Sequence, residues 1–282
     1  MADRGIVERD GFELEWVREG SGTPLMVIGA HRFYPRYFPQ SLRDHFEIVF
    51  CDLRQWVPTP NGFDVSTITR ETFSEDIEAV RQAAGFDRPI VAGQSQHGSL
   101  ALVYAQRFPE HARGVAAVAP VPPSRTAEWF EARDEFFRRD ADADRLAAHE
   151  RNQAKRPAAV ETAQDFIDAY VADSARCWYD PTFNCSELWE GVDVNLQVMG
   201  QVWAPAVLGG HTVEESGIPV FLALGRYDYL VPYTAWDDAV QRLANVHVKL
   251  YDRSAHQPPY EQPEEFGADL SGLGSGAVAR AV

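Results

Sequence analysis

The sequence predicts an α/β fold in which a mostly parallel, eight-stranded sheet is flanked by helices and interrupted once by a helical insertion after the sixth strand. Three observations predict it. Short apolar runs alternate with amphipathic stretches over residues 5–120, and the same rhythm resumes at residue 218. Between them, residues 121–217 mix tryptophan and phenylalanine with dense charge and carry no run suited to a buried strand. The implied division is a core of residues 1–120 and 218–282 with a cap, or lid, of residues 121–217. With 282 residues, 45% of them hydrophobic, the chain is long enough to bury one large core.

The first two strands form an antiparallel pair. Residues 5–9 and 12–18 flank Asp10-Gly11, and a two-residue hairpin turn needs the positive φ that Asp and Gly tolerate. Leu25-Met26-Val27-Ile28 is an uninterrupted apolar run, the pattern of a strand covered on both faces, and residues 46–51 read the same way. Residues 74–85 place Ile77, Val80, Arg81 and Ala84 at helical spacing, with Gly85 as the left-handed terminator. The strand Pro89-Ile90-Val91-Ala92 runs into Gly93-Gln94-Ser95-Gln96-His97-Gly98 and a helix carrying Leu100, Val103 and Tyr104 on one face. Residues 114–119 make the sixth strand, which Pro120 stops. Beyond the insertion, strands over 219–224 and 246–251 enclose a helix over 235–243, and after Phe266 a short helix and a loose tail end the chain.

The 42 acidic against 26 basic side chains give a net charge of −16, which repels phosphate backbones and anionic membrane surfaces and argues against nucleic acid as a partner. No apolar stretch approaches the roughly 20 residues of a membrane helix, and residues 1–8 show no basic-then-apolar signal pattern. Three cysteines, Cys51, Cys177 and Cys185, are an odd number without close pairing, which points to reduced thiols and a cytoplasmic setting. No pair of histidines at i, i+4 encloses a glutamate and no histidine clusters with cysteine, so no metal site is expected, and no phosphate loop or dinucleotide fingerprint implies a cofactor. The expected partner is a small-molecule substrate, with a homodimer left open.

A serine hydroxyl attacks at neutral pH only when a base removes its proton, so a candidate serine needs a base and an acid to orient it. Ser95 lies between a predicted strand and a predicted helix, the context that presents a nucleophile on a strained turn. The helix start also aims backbone N–H groups at an oxyanion. The turn ordinarily asks for small residues two places either side of the serine; Gly93 satisfies one, but His97 stands at the other, so a widened elbow keeping Gly98 is expected. Asp228 follows the strand over 219–224 and His256 follows the strand over 246–251, which places both at the sheet's carboxyl edge in the chain order Ser, Asp, His. Taken singly, each has a plainer role: Ser95 as a helix cap, Asp228 as a turn cap, His256 as a surface histidine.

These segments resemble the α/β-hydrolase superfamily, and within it the proline iminopeptidase-like branch. Residues 93–120, GQSQHGSLALVYAQRFPEHARGVAAVAP, resemble its elbow, helix and next strand. GRYDYLVP at 225–232 and AHQPPYEQPEEF at 255–266 resemble its acid and base segments, and YDPTF at 179–183 and LWEGVDVN at 188–195 resemble the branch's helical cap. The resemblance implies an α/β-hydrolase fold and acyl transfer to water by Ser95, His256 and Asp228, with the amides of Gln96 and of Ala30 or His31 holding the oxyanion. The chain also departs from the pattern. Gly29-Ala30-His31-Arg32-Phe33 replaces a glycine-rich stretch, Gln55 and Trp56 replace small residues after Asp52-Leu53-Arg54, and Tyr229 stands where an amine-binding acid is expected. Glu187 and Glu190 are alternatives for that acid, or solvated helix charges.

Phe33, Trp56, Trp178, Trp189, Trp203 and Tyr229 are expected either to line an apolar substrate pocket or to glue cap to core. His31 and His97 are candidates for a second acid or base or for structural hydrogen bonding, and Arg32 for a substrate carboxylate or a surface ion pair. The favoured activity is hydrolysis of an ester, lactone, thioester or small amide with an apolar body. The alternative keeps the fold but makes His256 and Asp228 the base of a cofactor-independent lyase, cyclase or oxygenase in which Ser95 only binds substrate. A non-catalytic ligand-binding protein is the third reading.

Overall fold

Asp10 and Gly11 turn the chain at φ 54° and 83°, so strands β1 (Asp3–Arg9) and β2 (Phe12–Gly20) pair antiparallel from Arg9 opposite Phe12 outward. The structure, a computed structural model, describes residues 3–123, 126–209, 217–240 and 245–275. The further strands are β3 (Thr23–Gly29), β4 (Phe46–Asp52), β5 (Ile90–Gln94), β6 (Gly114–Val118), β7 (Val220–Gly225) and β8 (Val246–Tyr251). They form one eight-stranded sheet in the order β1-β2-β4-β3-β5-β6-β7-β8. β2 joins β4 antiparallel, and the pairings from β4 through β8 are parallel. This is the mostly parallel α/β-hydrolase architecture that the sequence led us to expect.

The order fixes where a ligand can sit. β3 has β4 on one side and β5 on the other. The chain therefore leaves the carboxyl ends of these neighbours in opposite directions, opening a crevice between them. Gly29 ends β3 and Gln94 ends β5, so Ala30 and Ser95 begin the two loops at that crevice.

Before β6 lie α1 (Tyr34–Tyr37), α2 (Arg70–Ala83) and α3 (Gln96–Arg107). Between β6 and β7 lie α4 (Ala127–Asp140), α5 (Ala143–Gln153), α6 (Ala163–Ala172), α7 (Ser174–Cys177) and α8 (Leu196–Val202), and no strand occurs there among the described residues. The chain closes with α9 (Asp237–Val240), α10 (Pro258–Glu261) and α11 (Pro263–Ser275). α2 starts four residues before the expected 74, because Thr69 and Thr72 form a reciprocal capping box ahead of the apolar face. The helix expected over 235–243 is seen as a 3-10 turn at Tyr233–Trp236 followed by α9, and residues 241–244 lie outside the described residues, as does the tail from residue 276.

Leu25, Met26, Val27 and Ile28 are fully buried, as a strand covered on both faces requires. One charged group is buried with them. Arg54 holds Asp76 at 2.6 Å and Asp10 of the hairpin turn at 2.7 Å, with its guanidinium 4.7 Å from the Phe12 ring centroid. The two carboxylates offset the cost of burying this guanidinium, and the pairing ties the β1–β2 turn to the core.

Candidate active site

Ser95 adopts φ 56° and ψ −125°, a backbone conformation that side-chain-bearing residues avoid. Its amide donates to Val118 O at 2.8 Å and its carbonyl accepts from Ser99 at 3.2 Å, so strand β6 and helix α3 hold it there. The turn leaves no room beside it. A Cβ on Gly93 would stand 2.4 Å from the carbonyl of His97, and one on Gly98 would stand 3.0 Å from Gly93 O. The small residues of this elbow are therefore 93 and 98, as the widened-elbow reading expected. Ser95 occupies the N-cap position of α3, yet its hydroxyl makes no capping bond.

At the end of β7, Asp228 uses its two oxygens differently. Oδ1 accepts the amides of Leu230 at 2.9 Å and Val231 at 2.7 Å, while Oδ2 lies 2.6 Å from Nδ1 of His256. The turn-cap role and the imidazole-orienting role belong to the same carboxylate. Both residues are about 1% exposed. With Nδ1 turned to the carboxylate, the neutral ring keeps its acceptor at Nε2. The His256 main chain is fixed at both ends of its peptide: its amide donates to Cys177 O at 3.0 Å and its carbonyl accepts Gln94 Nε2 at 3.2 Å. Gly225 allows this approach, since a Cβ there would fall 1.8 Å from Ala255 O. Glu261 of α10 clamps the same loop, accepting the Ser254 hydroxyl at 2.6 Å, the Ala255 amide at 2.7 Å and, from the helical segment, the Tyr179 amide at 2.5 Å.

Ser95 and His256 line one cavity of about 200 Å³. No hydrogen bond joins them in this structure; without a ligand such contacts are commonly long and tighten when substrate binds. Ala30 and Gln96 line the same cavity, and neither of their amides has a hydrogen-bond acceptor among the described residues. The His31 amide, the other oxyanion candidate, is already spent: it donates to Asp52 Oδ1 at 2.9 Å while the His31 ring meets Asp52 Oδ2 at 2.7 Å.

His97 is a wall rather than an acid or base. Its Nε2 faces the indole N–H of Trp56 and Nε2 of Gln55, both at 3.0 Å, and its Nδ1 lies 2.6 Å from the Tyr34 hydroxyl. An indole N–H can only donate, so Nε2 is the acceptor and Nδ1 carries the proton. Burial pushes the imidazole pKa down to about 3, which keeps the ring neutral.

Of the expected pocket residues, Phe33, Trp56, Trp189 and Trp203 do line the cavity. Trp178 does not; it is buried against Phe183 and Tyr260, with ring centroids 4.4 and 5.3 Å away. Nor does Tyr229, which turns its hydroxyl to Asp140 at 2.9 Å and packs on Phe136 and Phe137. Arg32 lies outside as well, donating to Gly191 O at 3.1 Å and lining a smaller cavity of about 80 Å³ with Glu13, Glu15, Asp52 and Asp193. Sequence reasoning missed Tyr34, Met199, Leu230, and the pair Phe166 and Tyr170, whose i, i+4 spacing on α6 was the available signal. Among the described residues no Asp, Glu, Lys or Arg lines the cavity of Ser95 and His256, and Glu187 and Glu190 stand apart from it. Among the described residues no cluster of three metal-ligating side chains occurs, and no helix is long and apolar enough to cross a membrane.

Known proteins share this fold. The family model described as the alpha/beta hydrolase fold matches residues 27–263. The AB hydrolase superfamily protein YclE of Bacillus subtilis (strain 168) is 28% identical over 272 residues, covering 94% of this chain and 96% of its own. Among solved structures, an alpha/beta fold family hydrolase from Bacillus anthracis superposes with a TM-score of 0.68 at 16% identity, covering 97% of this chain and 99% of that one. An esterase from Exiguobacterium antarcticum superposes with a TM-score of 0.67 at 14% identity, covering 94% and 97%. At such identities the structural likeness speaks for the fold alone.

Proposed function

The chain belongs to the alpha/beta hydrolase family, and from that premise we propose that it is a serine hydrolase in which Ser95 is the nucleophile, His256 the base and Asp228 the orienting acid. One observation carries the reading: a serine held at positive φ, with a hydroxyl that caps nothing, shares a cavity with a histidine whose other nitrogen is bound by a buried carboxylate. Ser95 Oγ attacks the substrate carbonyl as His256 Nε2 takes its proton. The amides of Ala30 and Gln96 receive the oxyanion, and the imidazolium returns the proton to the leaving group. Water then attacks the acyl carbon as His256 takes its proton, and the imidazolium returns that proton to Ser95 Oγ as the acyl–serine bond breaks and the acid leaves. Residues 121–217 act as the cap, supplying Phe166, Tyr170, Trp189, Met199 and Trp203 to the cavity wall.

The walls favour a neutral ester, lactone, thioester or small amide with an apolar body. The finer resemblance to the iminopeptidase-like branch gains no support at the amine end, since among the described residues no carboxylate meets the cavity. A second acid or base at His97 would favour the non-hydrolytic alternative, but both nitrogens of that ring are engaged. A fluorophosphonate probe tests the proposal. The expected result is a mass adduct confined to a peptide containing Ser95 and absent from Ser95→Ala. No adduct, with Ser95→Ala still active on the true substrate and His256→Ala inactive, would install the alternative.

A further inference from the structure

Arg145 of α5 is 4% exposed, and among the described residues no carboxylate lies within ion-pair distance of it. Its guanidinium donates instead to three main-chain carbonyls: Ala175 at 2.7 Å, Trp178 at 2.8 Å and Tyr179 at 2.6 Å. These belong to one short stretch, the end of α7 and the residues after it. The same stretch touches both catalytic loops through its backbone. Arg176 O accepts the Tyr229 amide at 3.1 Å, Cys177 O accepts the His256 amide at 3.0 Å, and the Tyr179 amide donates to Glu261. The guanidinium carbon also stands 5.7 Å from the Tyr227 ring centroid and 5.5 Å from that of Tyr229, the two residues flanking Asp228.

The geometry points to Arg145 as a positioning residue for the Asp228–His256 pair. A guanidinium offers five donors in a rigid plane, so one side chain fixes three carbonyls that no single lysine could hold in the same arrangement. Held there, the stretch 175–179 sets where the His256 amide and the Tyr229 amide hang. The imidazole is placed from the helical segment as well as from the sheet. A burial of this kind costs desolvation that the carbonyls and ring faces offset, and removing the guanidinium takes the donor from the buried carbonyls of Ala175 and Trp178 and from the part-buried carbonyl of Tyr179. The inference rests on His256 being the base proposed above.

The test uses the full chain with Arg145→Met and Arg145→Lys. Its readouts are the rate and pH dependence of fluorophosphonate labelling at Ser95, kcat and KM on a neutral ester, and the downfield proton resonance of the His256 Nδ1–H bound to Asp228. The expected result for Arg145→Met, at a temperature where circular dichroism remains native, is labelling and kcat slowed about 10- to 100-fold. KM stays within about twofold, the acid limb of the pH profile shifts, and the Nδ1 resonance moves or broadens. Arg145→Lys recovers part of each, and it carries the comparison if the methionine variant does not fold. A lower melting temperature with labelling rate, pH profile and resonance all unchanged would overturn the proposal. If the native protein takes no label, the hydrolase reading falls while the Nδ1 resonance still decides the positioning.

Discussion

A Cβ on Gly29 would stand 2.9 Å from Nδ1 of His97 and 2.3 Å from the Tyr34 ring, so the absence of a side chain at the end of β3 and the presence of a large one in the elbow are one arrangement. Gly29 also sits at φ 143°, where a side chain is strained whatever the space. Gly29→Ala is expected to destabilise the fold by about 1–3 kcal/mol, through overpacking and backbone strain together. In a His97→Ala background the cost should be smaller, because the contact with the imidazole is gone while the contact with the Tyr34 ring and the backbone strain remain. Urea midpoints for the four proteins of this double-mutant cycle measure the difference, and equal costs in both backgrounds would show that the two residues are not coupled.

The same histidine gives stability a dependence on acid. Burial lowers its pKa from 6.5 to about 3 in the folded chain. Below pH 6.5 the unfolded chain binds a proton that the folded chain refuses, so stability falls as pH drops from about 6.5 toward 3, at up to about 1.4 kcal/mol per pH unit. Chemical denaturation across that range should show a shallower slope for His97→Gln than for the native protein. The pH dependence of activity is a separate matter: the proposed mechanism passes no proton through residue 97, so the acid midpoint of activity should stay in place in His97→Gln even though turnover falls. A midpoint that moved with residue 97 would return that residue to the chemistry.

What could be read in advance follows a physical divide. The strands, the Asp10-Gly11 turn and the order of Ser95, Asp228 and His256 were legible because each depends on local chemistry: side-chain period, positive φ, position after a strand. The fate of His31 was not, since it turns on Asp52, a residue brought beside it only by the pairing of β3 with β4. Trp178, Tyr229 and Trp189 look alike in sequence, yet only Trp189 reaches the cavity. Which aromatic faces inward is decided by how the helical segment lies on the sheet, and composition carries no trace of that. Arg145 was invisible for a similar reason: its partners are carbonyl oxygens, which every residue possesses.

Glu261 offers a sharper case of position mattering more than charge. Its carboxylate accepts three donors and among the described residues is paired with no cation, so its role is to accept from the Ser254 hydroxyl and from the Ala255 and Tyr179 amides. Burial raises its pKa, which those hydrogen bonds partly oppose. Glu261→Gln replaces one acceptor oxygen with an N–H₂ group facing a donor, and about 1–3 kcal/mol of stability should be lost. Because Ala255 precedes His256, kcat should fall while KM for a neutral ester holds. A variant with native kcat and a lowered melting temperature would confine Glu261 to stability.

The last expectation concerns charge on the substrate. Solvent leaves most of this cavity when a ligand fills it, and an ammonium group enclosed there would lose its hydration without meeting a carboxylate, because among the described residues no acidic side chain lines the wall. A neutral isostere suffers no such penalty and gains contact with Phe33, Trp56 and Trp189. Burying an unpaired cation costs several kcal/mol, so an ester or anilide with a free α-amine should show kcat/KM at least about 100-fold below that of the same compound with the amine acylated. The comparison is best made at a pH where the amine is fully protonated and repeated where it is neutral, since the gap should close as the proton is lost. A protein that prefers the free amine would require an acidic group to reach the cavity, and Glu187 or Glu190 would then have to move inward with their segment; charge-neutral variants at those two positions would show whether they do.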